Sequence, residues 1–418
     1  MALRESVLRN ERFTEKERRS LAILDIIRRS REVSRAEISR ITHLNIVTIS
    51  NYIDDYVSKG LVLEKGLDIS TGGRRPELLE LNSRYGYTVG IDLGAPQITE
   101  DADVIGVIID TSGRIVAKTK VKKEEEPQDR FIAKISGVIG DLLSKSKIDK
   151  TKIKGIGIGI WGVLDRYKGT VRYAVEKGGI FSYAALQSVL EREYGIQTLV
   201  EHDATAGALG EKWMGLGLSV EAENIIYMCS DSSCGLILNG ELYYGASKSA
   251  GELNINPPSP DYKDDNCWAK YDYGCGFRSR GIDLGIASRA KAYFKNNNKP
   301  SKILEIAKGK IDDITMNGVI AASKVQDKVA IDLLVEAGDY LGAKVAAMVN
   351  LFNPDAVVIG RGIEKCGDLF MDSVRASAKK WAYEESLKVV RITSTSLGED
   401  SIACGGAALV MQQVFARI

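Results

Sequence analysis

The chain has 418 residues with an ordinary apolar share of 44%, which is more than one small core needs and enough for two or three domains. Its 57 Lys and Arg stand against 56 Asp and Glu, so the net charge of +1 does not by itself indicate a nucleic-acid partner. No apolar run reaches the length of a membrane span, and the charged first twenty residues lack the apolar stretch of a secretory leader, so the expectation is a cytoplasmic chain without a membrane segment. Six scattered cysteines (Cys229, Cys234, Cys267, Cys275, Cys366, Cys404) fit free thiols better than a disulfide framework.

The first fifth departs from the neutral average. Arg18, Arg19, Arg28, Arg29, Arg31, Arg35, Arg40, Arg74 and Arg75 fall there, with acidic residues between them. Leu21, Ile23, Leu24, Ile26 and Ile27 give residues 14–30 a helical apolar face. Ser34 with Glu37 three residues later predicts a capping box opening a second helix, with Ala36, Ile38 and Ile41 turned inward. After a short turn at Thr42–Asn45, a third helix carries an apolar stripe of Ile49, Tyr52, Ile53, Tyr56 and Val57 and ends at Gly60. Its other face holds Thr48 and Asn51, with Asn45 at the N-terminus. An asparagine pairs bidentately with adenine, and a helix N-terminus attracts phosphate. Residues 61–65 and 77–81 alternate like hairpin strands around a tip, Ser70–Pro76, that carries Arg74 and Arg75. Helix, turn, helix and basic hairpin read as a winged helix-turn-helix over residues 1–85. Arg35, Asn45, Thr48, Asn51, Arg74 and Arg75 are its candidate DNA contacts. The alternative is a helical protein-interaction domain with a solvated basic loop.

From about Tyr87 the pattern becomes alternating strands and helices. Strands are predicted at 88–94, 103–110, 114–121, 153–160, 198–203, 224–230, 235–240 and 356–362. Helices are predicted at 128–146, 183–194, 204–214, 329–350 and 365–385. That is an α/β body with a mixed sheet, and glycines at strand ends suggest backbone lining a cleft.

Five segments sharpen this: GIDLG (90–94), GIGIGIWGVLD (155–165), VEHDATAGALGE (200–211), SDSSCGLILNGELYYGASKSAGEL (230–253) and NPDAVVIGRG (353–362). In this order they resemble the ROK family of repressors and sugar kinases, and with the N-terminal module the whole chain resembles that family's transcriptional regulators. The resemblance implies an actin-like ATPase fold of two lobes over residues 86–418. It puts Asp203 at the family's catalytic-base position, Asp92 where a carboxylate organises a metal ion, and Glu252 at a sugar-contacting position. His202 replaces the usual Asn beside the base. An Asp between a strand and an Ala-rich helix can point into a cleft; the plainer alternative for each carboxylate is a capping or strand-end role.

The chemistry of phosphoryl transfer is eroded. Pro96 removes an N–H from the first phosphate loop, side chains of Ser230–Cys234 replace glycines in the second, and Arg361 interrupts a Gly run near the adenosine site. The family's structural zinc has lost its His to Asn254, and of its cysteines Cys267 and Cys275 remain, short of the four ligands such a site takes. The expectation is therefore no zinc, no ATP and no enzyme. The chain reads as a DNA-binding repressor whose degenerate kinase-like domain binds a small carbohydrate-like effector through Asp92, His202, Asp203, Glu252 and Asn254. It would act as a homodimer or tetramer on operator DNA. The alternatives are an ATP-dependent sugar kinase with a DNA-binding head and a constitutive DNA-binding protein with a structural body.

Overall fold

The computed structural model describes residues 13–67, 77–94, 103–124, 127–166, 168–172, 180–215, 222–230, 232–253, 284–297 and 299–418. It opens with α1 (Glu15–Ser30), started by a capping box: Thr14 Oγ1 accepts the Glu17 N–H at 3.3 Å while the Glu17 carboxylate accepts the Thr14 N–H at 2.7 Å. β1 (Val33–Ser34), α2 (Arg35–Thr42), α3 (Ile46–Ser58), β2 (Val62–Leu67) and β3 (Glu77–Leu81) follow, the strands pairing antiparallel in the order β1-β3-β2. Ser34 caps α2 through the Glu37 N–H at 3.2 Å, but the Glu37 carboxylate lies toward Arg40. The module's reciprocal capping box therefore belongs to α1 instead. Ala36 and Ile41, expected inside, are exposed, and Ile38 alone in α2 is buried. A helix of eight residues meets the core over about one turn, so one side chain suffices. The α3 stripe lies as expected, with Ile49, Ile53 and Tyr56 buried.

The body repeats one sheet plan twice. β4 (Tyr87–Asp92), β5 (Val104–Asp110) and β6 (Ile115–Val121) form an antiparallel meander. After α4 (Gln128–Ser146), β7 (Ile153–Ile160) pairs parallel to β4. A small sheet of β8 (Val163–Asp165), β9 (Thr170–Arg172) and β10 (Ile180–Ser182) precedes α5 (Tyr183–Tyr194). β11 (Thr198–His202) then joins β7 in parallel and runs straight into α6 (Asp203–Met214). The first sheet is thus β11-β7-β4-β5-β6. The second lobe holds β12 (Ile225–Cys229), β13 (Ser233–Leu238) and β14 (Glu241–Leu242). It continues with α7 (Ile286–Asn296), α8 (Lys302–Ile306), α9 (Met316–Lys324), α10 (Lys328–Phe352), β15 (Ala356–Gly360), α11 (Gly367–Trp381), α12 (Glu384–Val389) and β16 (Arg391–Ser394), after which α13 (Ser401–Ala416) returns to the first sheet. Its sheet, β14-β13-β12-β15-β16, again joins an antiparallel meander to two parallel strands. The single helix expected over 365–385 is two, and the break is tied to α10 by the Tyr383 N–H donating to Asn350 Oδ1 at 2.9 Å.

The last helix, α13, is buried on nearly every face and lies at backbone contact with its surroundings. A Cβ built on Gly157 of β7 would sit 1.8 Å from the Gly406 carbonyl oxygen, one on Gly90 of β4 would sit 1.8 Å from that of Ala403, and one on Gly405 would sit 1.7 Å from that of Ala206 in α6. Glycine is required at these positions for space. The same helix reaches the N-terminal module: Ile23, Leu24 and Ile27 of α1 share one apolar cluster with Trp213 of α6 and with Met411 and Phe415 of α13. Replacing Gly405 by Val should push α13 off α6 and cost at least about 2 kcal/mol, in the range of overpacked cores; urea denaturation of the purified variant measures it.

Candidate functional site

The reader. Asn45 is the N-cap of α3, its Oδ1 accepting the Thr48 N–H at 2.8 Å, so its side chain is engaged in shaping the helix start. Asn51 is exposed and Thr48 half-buried on the outer face. Arg35 has its guanidinium among three carboxylates, Glu64 at 2.6 Å, Asp54 at 3.2 Å and Glu77 at 3.6 Å, so it meets a phosphate only by releasing them. Arg74 and Arg75 lie outside the described residues. Ile46 and Val47, not among the candidate contacts, stand 47% and 66% exposed at the start of α3, where apolar side chains can pack on thymine methyls. The signal was available: two β-branched residues that the i, i+3, i+4 stripe leaves out.

The reader is joined to the body by polar contacts as well as apolar ones. Tyr56 of α3 donates to Ser20 Oγ at 2.8 Å, and Ser20 donates to the Phe415 carbonyl of α13 at 2.7 Å, all buried. Arg28 of α1 lies over the Trp213 ring, 4.8 Å from its centroid, donates to the Trp213 carbonyl and pairs with Asp25. Its side chain is fully buried.

The cleft. Asp203 is the first residue of α6, placed there because β11 feeds the helix without a loop, and it is fully buried. Its Oδ1 accepts the Ala204 N–H at 2.7 Å. Burial pushes its carboxyl up, against the pull of His202 and Arg361. His202 Nε2 sits 3.5 Å from Asp203 Oδ1 and 3.6 Å from Glu252 Oε1, joining the two acids. Glu252, beside Ser233 in an isolated bridge, is also pushed up by burial. Asp92 ends β4, where its Oδ1 accepts the Gly94 N–H at 2.9 Å. The structure therefore brings Asp92, His202, Asp203 and Glu252 together; Asn254, Cys267 and Cys275 lie outside the described residues. A cavity beside the group is lined by Leu164, His202, Thr205, Tyr244, Ser249 and Glu252. Arg166, paired with the buried Glu201 and lying over Tyr244, forms part of its surroundings; sequence reasoning gave no signal for it. Burial pushes the Cys234 and Cys404 thiols up to about 12, consistent with inert free thiols.

Between Asp92 and Asp203 stands a guanidinium. Arg361, buried and left-handed at φ 70°, reaches from the end of β15 so that its Nη1 donates to Asp92 Oδ2 at 2.5 Å and its Nη2 stands 3.7 Å from Asp203 Oδ2. Burial alone would weaken its charge, but Asp92 and Asp203 together hold the guanidinium above its ordinary value. Asp92 and Asp203 thus face an interior cation rather than open space. Ser230 is likewise left-handed, at φ 54°, and buried. Among the described residues, no group of three or more His, Cys, Asp and Glu side chains is arranged to hold a metal ion. No described helix is long and apolar enough to cross a membrane.

A two-lobed body of the sugar-kinase type carrying a winged helix-turn-helix is the architecture of a regulator built on an enzyme fold. The model of the ROK family matches residues 88–413, and the chain belongs to that family. It is similar to a putative xylose repressor of Caldicellulosiruptor sp. (strain Rt8B.4), 29% identical over 95% of this chain and 96% of that protein. A glucokinase of Halalkalibacterium halodurans is 26% identical but covers 78% of this chain and 96% of its own length. The crystal structure of a ROK family transcriptional regulator, a homolog of the E. coli MLC protein, superposes with a TM-score of 0.73 at 21% identity, covering 96% of this chain and 97% of that one.

The elevated carboxyl of Glu252 has a stability consequence. A folded-state value above the unfolded one means that the native state holds the proton more tightly. Stability therefore falls as pH rises from the ordinary carboxylate range through the elevated value. Glu252→Gln should flatten that decline and raise the melting temperature at neutral pH, measured by thermal denaturation at a series of pH values.

Proposed function

We propose that the protein represses transcription from operator DNA and is controlled by a small carbohydrate-like effector bound in the cleft, without phosphorylating it. The observation that carries this reading is the packed continuity from cleft to reader. α6 begins with Asp203 in the cleft and ends with Trp213 under Arg28 of α1, while α13 lies against α6 at Gly405 and meets the Tyr56–Ser20 pair at Phe415. Lobe closure on a ligand would move α6 and α13, and with them the angle at which α3 is presented. Ligand and operator then bias one another reciprocally.

In this reading residues 1–85 are the reader and 86–418 the sensor, with Tyr85 packed in the cluster the two share. Thr48 and Asn51 address base edges, Ile46 and Val47 thymine methyls, and Arg74 and Arg75 the backbone or minor groove. Asp92, His202, Asp203, Glu252 and Asn254 belong to the effector site. A dimer would set two readers on half-sites about one helical turn apart. The name of the xylose repressor relative makes D-xylose the first ligand to try.

The test is a selection of genomic fragments by the purified protein, followed by binding titrations of the enriched site with aldopentoses, aldohexoses and N-acetylhexosamines. An enriched palindrome released by one sugar supports the reading; enrichment indifferent to every sugar favours the constitutive alternative. Arg74→Ala with Arg75→Ala should weaken binding to all sequences and lower the salt slope by about 2. Arg28→Ala should leave DNA binding and sugar binding in place while the sugar loses its effect on the DNA. The kinase alternative is favoured by the retained Asp92, Asp203 and Glu252. ADP release across the sugar panel, with Asp203→Asn as control, decides against the repressor-only reading if it is found.

A further inference from the structure

Two buried polar atoms face each other across the lobes without a hydrogen-bond partner among the described residues: Arg361 Nη2, a donor, and Asp203 Oδ2, an acceptor. They are 3.7 Å apart, close enough to attract but too far for a hydrogen bond. Arg361 comes from the sheet of the second lobe, whereas Asp92 and Asp203 stand at the ends of strands of the first. Asp203 is fully buried and Arg361 is 8% exposed, so leaving both groups unsatisfied is costly. The gap calls for one atom that can accept from a guanidinium and donate to a carboxylate. A hydroxyl oxygen does both; a phosphate or carboxylate oxygen accepts only and would meet Asp203 as a second anion.

We propose that Arg361 is an effector-binding residue, and that its Nη2 and Asp203 Oδ2 together bracket one hydroxyl of a neutral polyhydroxy ligand. This rests on the effector reading above and narrows it. The site takes a free sugar or polyol, with no phosphate ester on the bracketed hydroxyl. Arg361 is held for this by its other nitrogen on Asp92, and the left-handed backbone between Gly360 and Gly362 lets the side chain turn into the cleft. Since the guanidinium belongs to one lobe and the acceptor to the other, the bracketed hydroxyl is itself a link across the cleft.

The experiment uses the full chain and the sugar from the panel that binds best, measured by calorimetry together with its singly deoxygenated analogues. One deoxy position is expected to lose at least tenfold in the unaltered protein, since the missing hydroxyl leaves both atoms unpaired. That position-specific loss should vanish in Arg361→Met while the losses at other positions persist. The phosphate ester at that position should bind at least tenfold more weakly than the free sugar. Because Arg361→Met strips two buried carboxylates of their counter-charge, the same comparison is made in Asp92→Asn/Arg361→Met, which preserves net charge, after cooperative unfolding confirms that it is folded. A deoxy pattern unchanged in the Arg361 variants would overturn the proposal and leave the effector reading standing: a structural water, not a ligand hydroxyl, would fill the gap. Equal affinity for the phosphate ester would overturn it as well. If the unaltered protein binds no sugar of the panel, the effector reading fails and this assignment falls with it.

Discussion

Backbone-to-backbone contact along α13 is the constraint from which the remaining geometry follows. Helices normally stand off a sheet by the length of their side chains. Here Gly90 and Gly157 on the strands and Gly406 on the helix remove that spacing, and Gly405 does the same toward α6. The helix becomes a shared wall, touching β4 and β7 on one side and α6 on the other, and its far end projects beyond the sheet into the apolar cluster of the reader. Close-packed interiors transmit displacement because they have no slack to absorb it. A protein that must carry a signal from a cleft to a DNA-binding helix benefits from such a wall, whereas a linker between independent domains would dissipate the movement.

The cleft shows the opposite economy, with charge concentrated where packing is incomplete. Buried ion pairs seldom stabilise a fold, because desolvation offsets their attraction. Asp92, Asp203 and Arg361 are therefore better explained by what they hold in place than by stability. The cation compensates the two acids and ties the ends of strands from different lobes. In the proposed reading, such an arrangement would leave Asp203 and Glu252 to meet a ligand while Arg361 takes the space beside Asp92.

Much of this was legible in the chain, for definite reasons. The α3 stripe and the strand at 153–160 announced themselves through strict periodicity, and α4 and α5 fall at their expected bounds. Asp92, His202, Asp203 and Glu252 meet because strand ends converge at a cleft, which resemblance to a known fold could anticipate. α13 went unread because it is apolar all round, so no amphipathic stripe distinguishes it from a strand or a loop. The small β8–β9–β10 sheet has three-residue strands, too short for alternation to show. Arg361 was visible only as a break in a glycine run. That its guanidinium lies between Asp92 and Asp203 depends on how two distant sheets face each other, which no local pattern encodes.

The Tyr56–Ser20–Phe415 hydrogen-bond chain bears on how proteins of this architecture can diversify. The third helix of the reader is anchored, through one serine, to the Phe415 carbonyl of α13. α1, α3 and α13 therefore form a single structural unit, although most of the body lies between them in sequence. Exchanging readers between relatives by recombination at the junction near Tyr85 would bring in a new α1 and α3 but keep the old α13. A chimera that keeps this chain of bonds has to inherit α13 together with α1 and α3, whereas point changes on the exposed face of α3 leave the anchorage untouched.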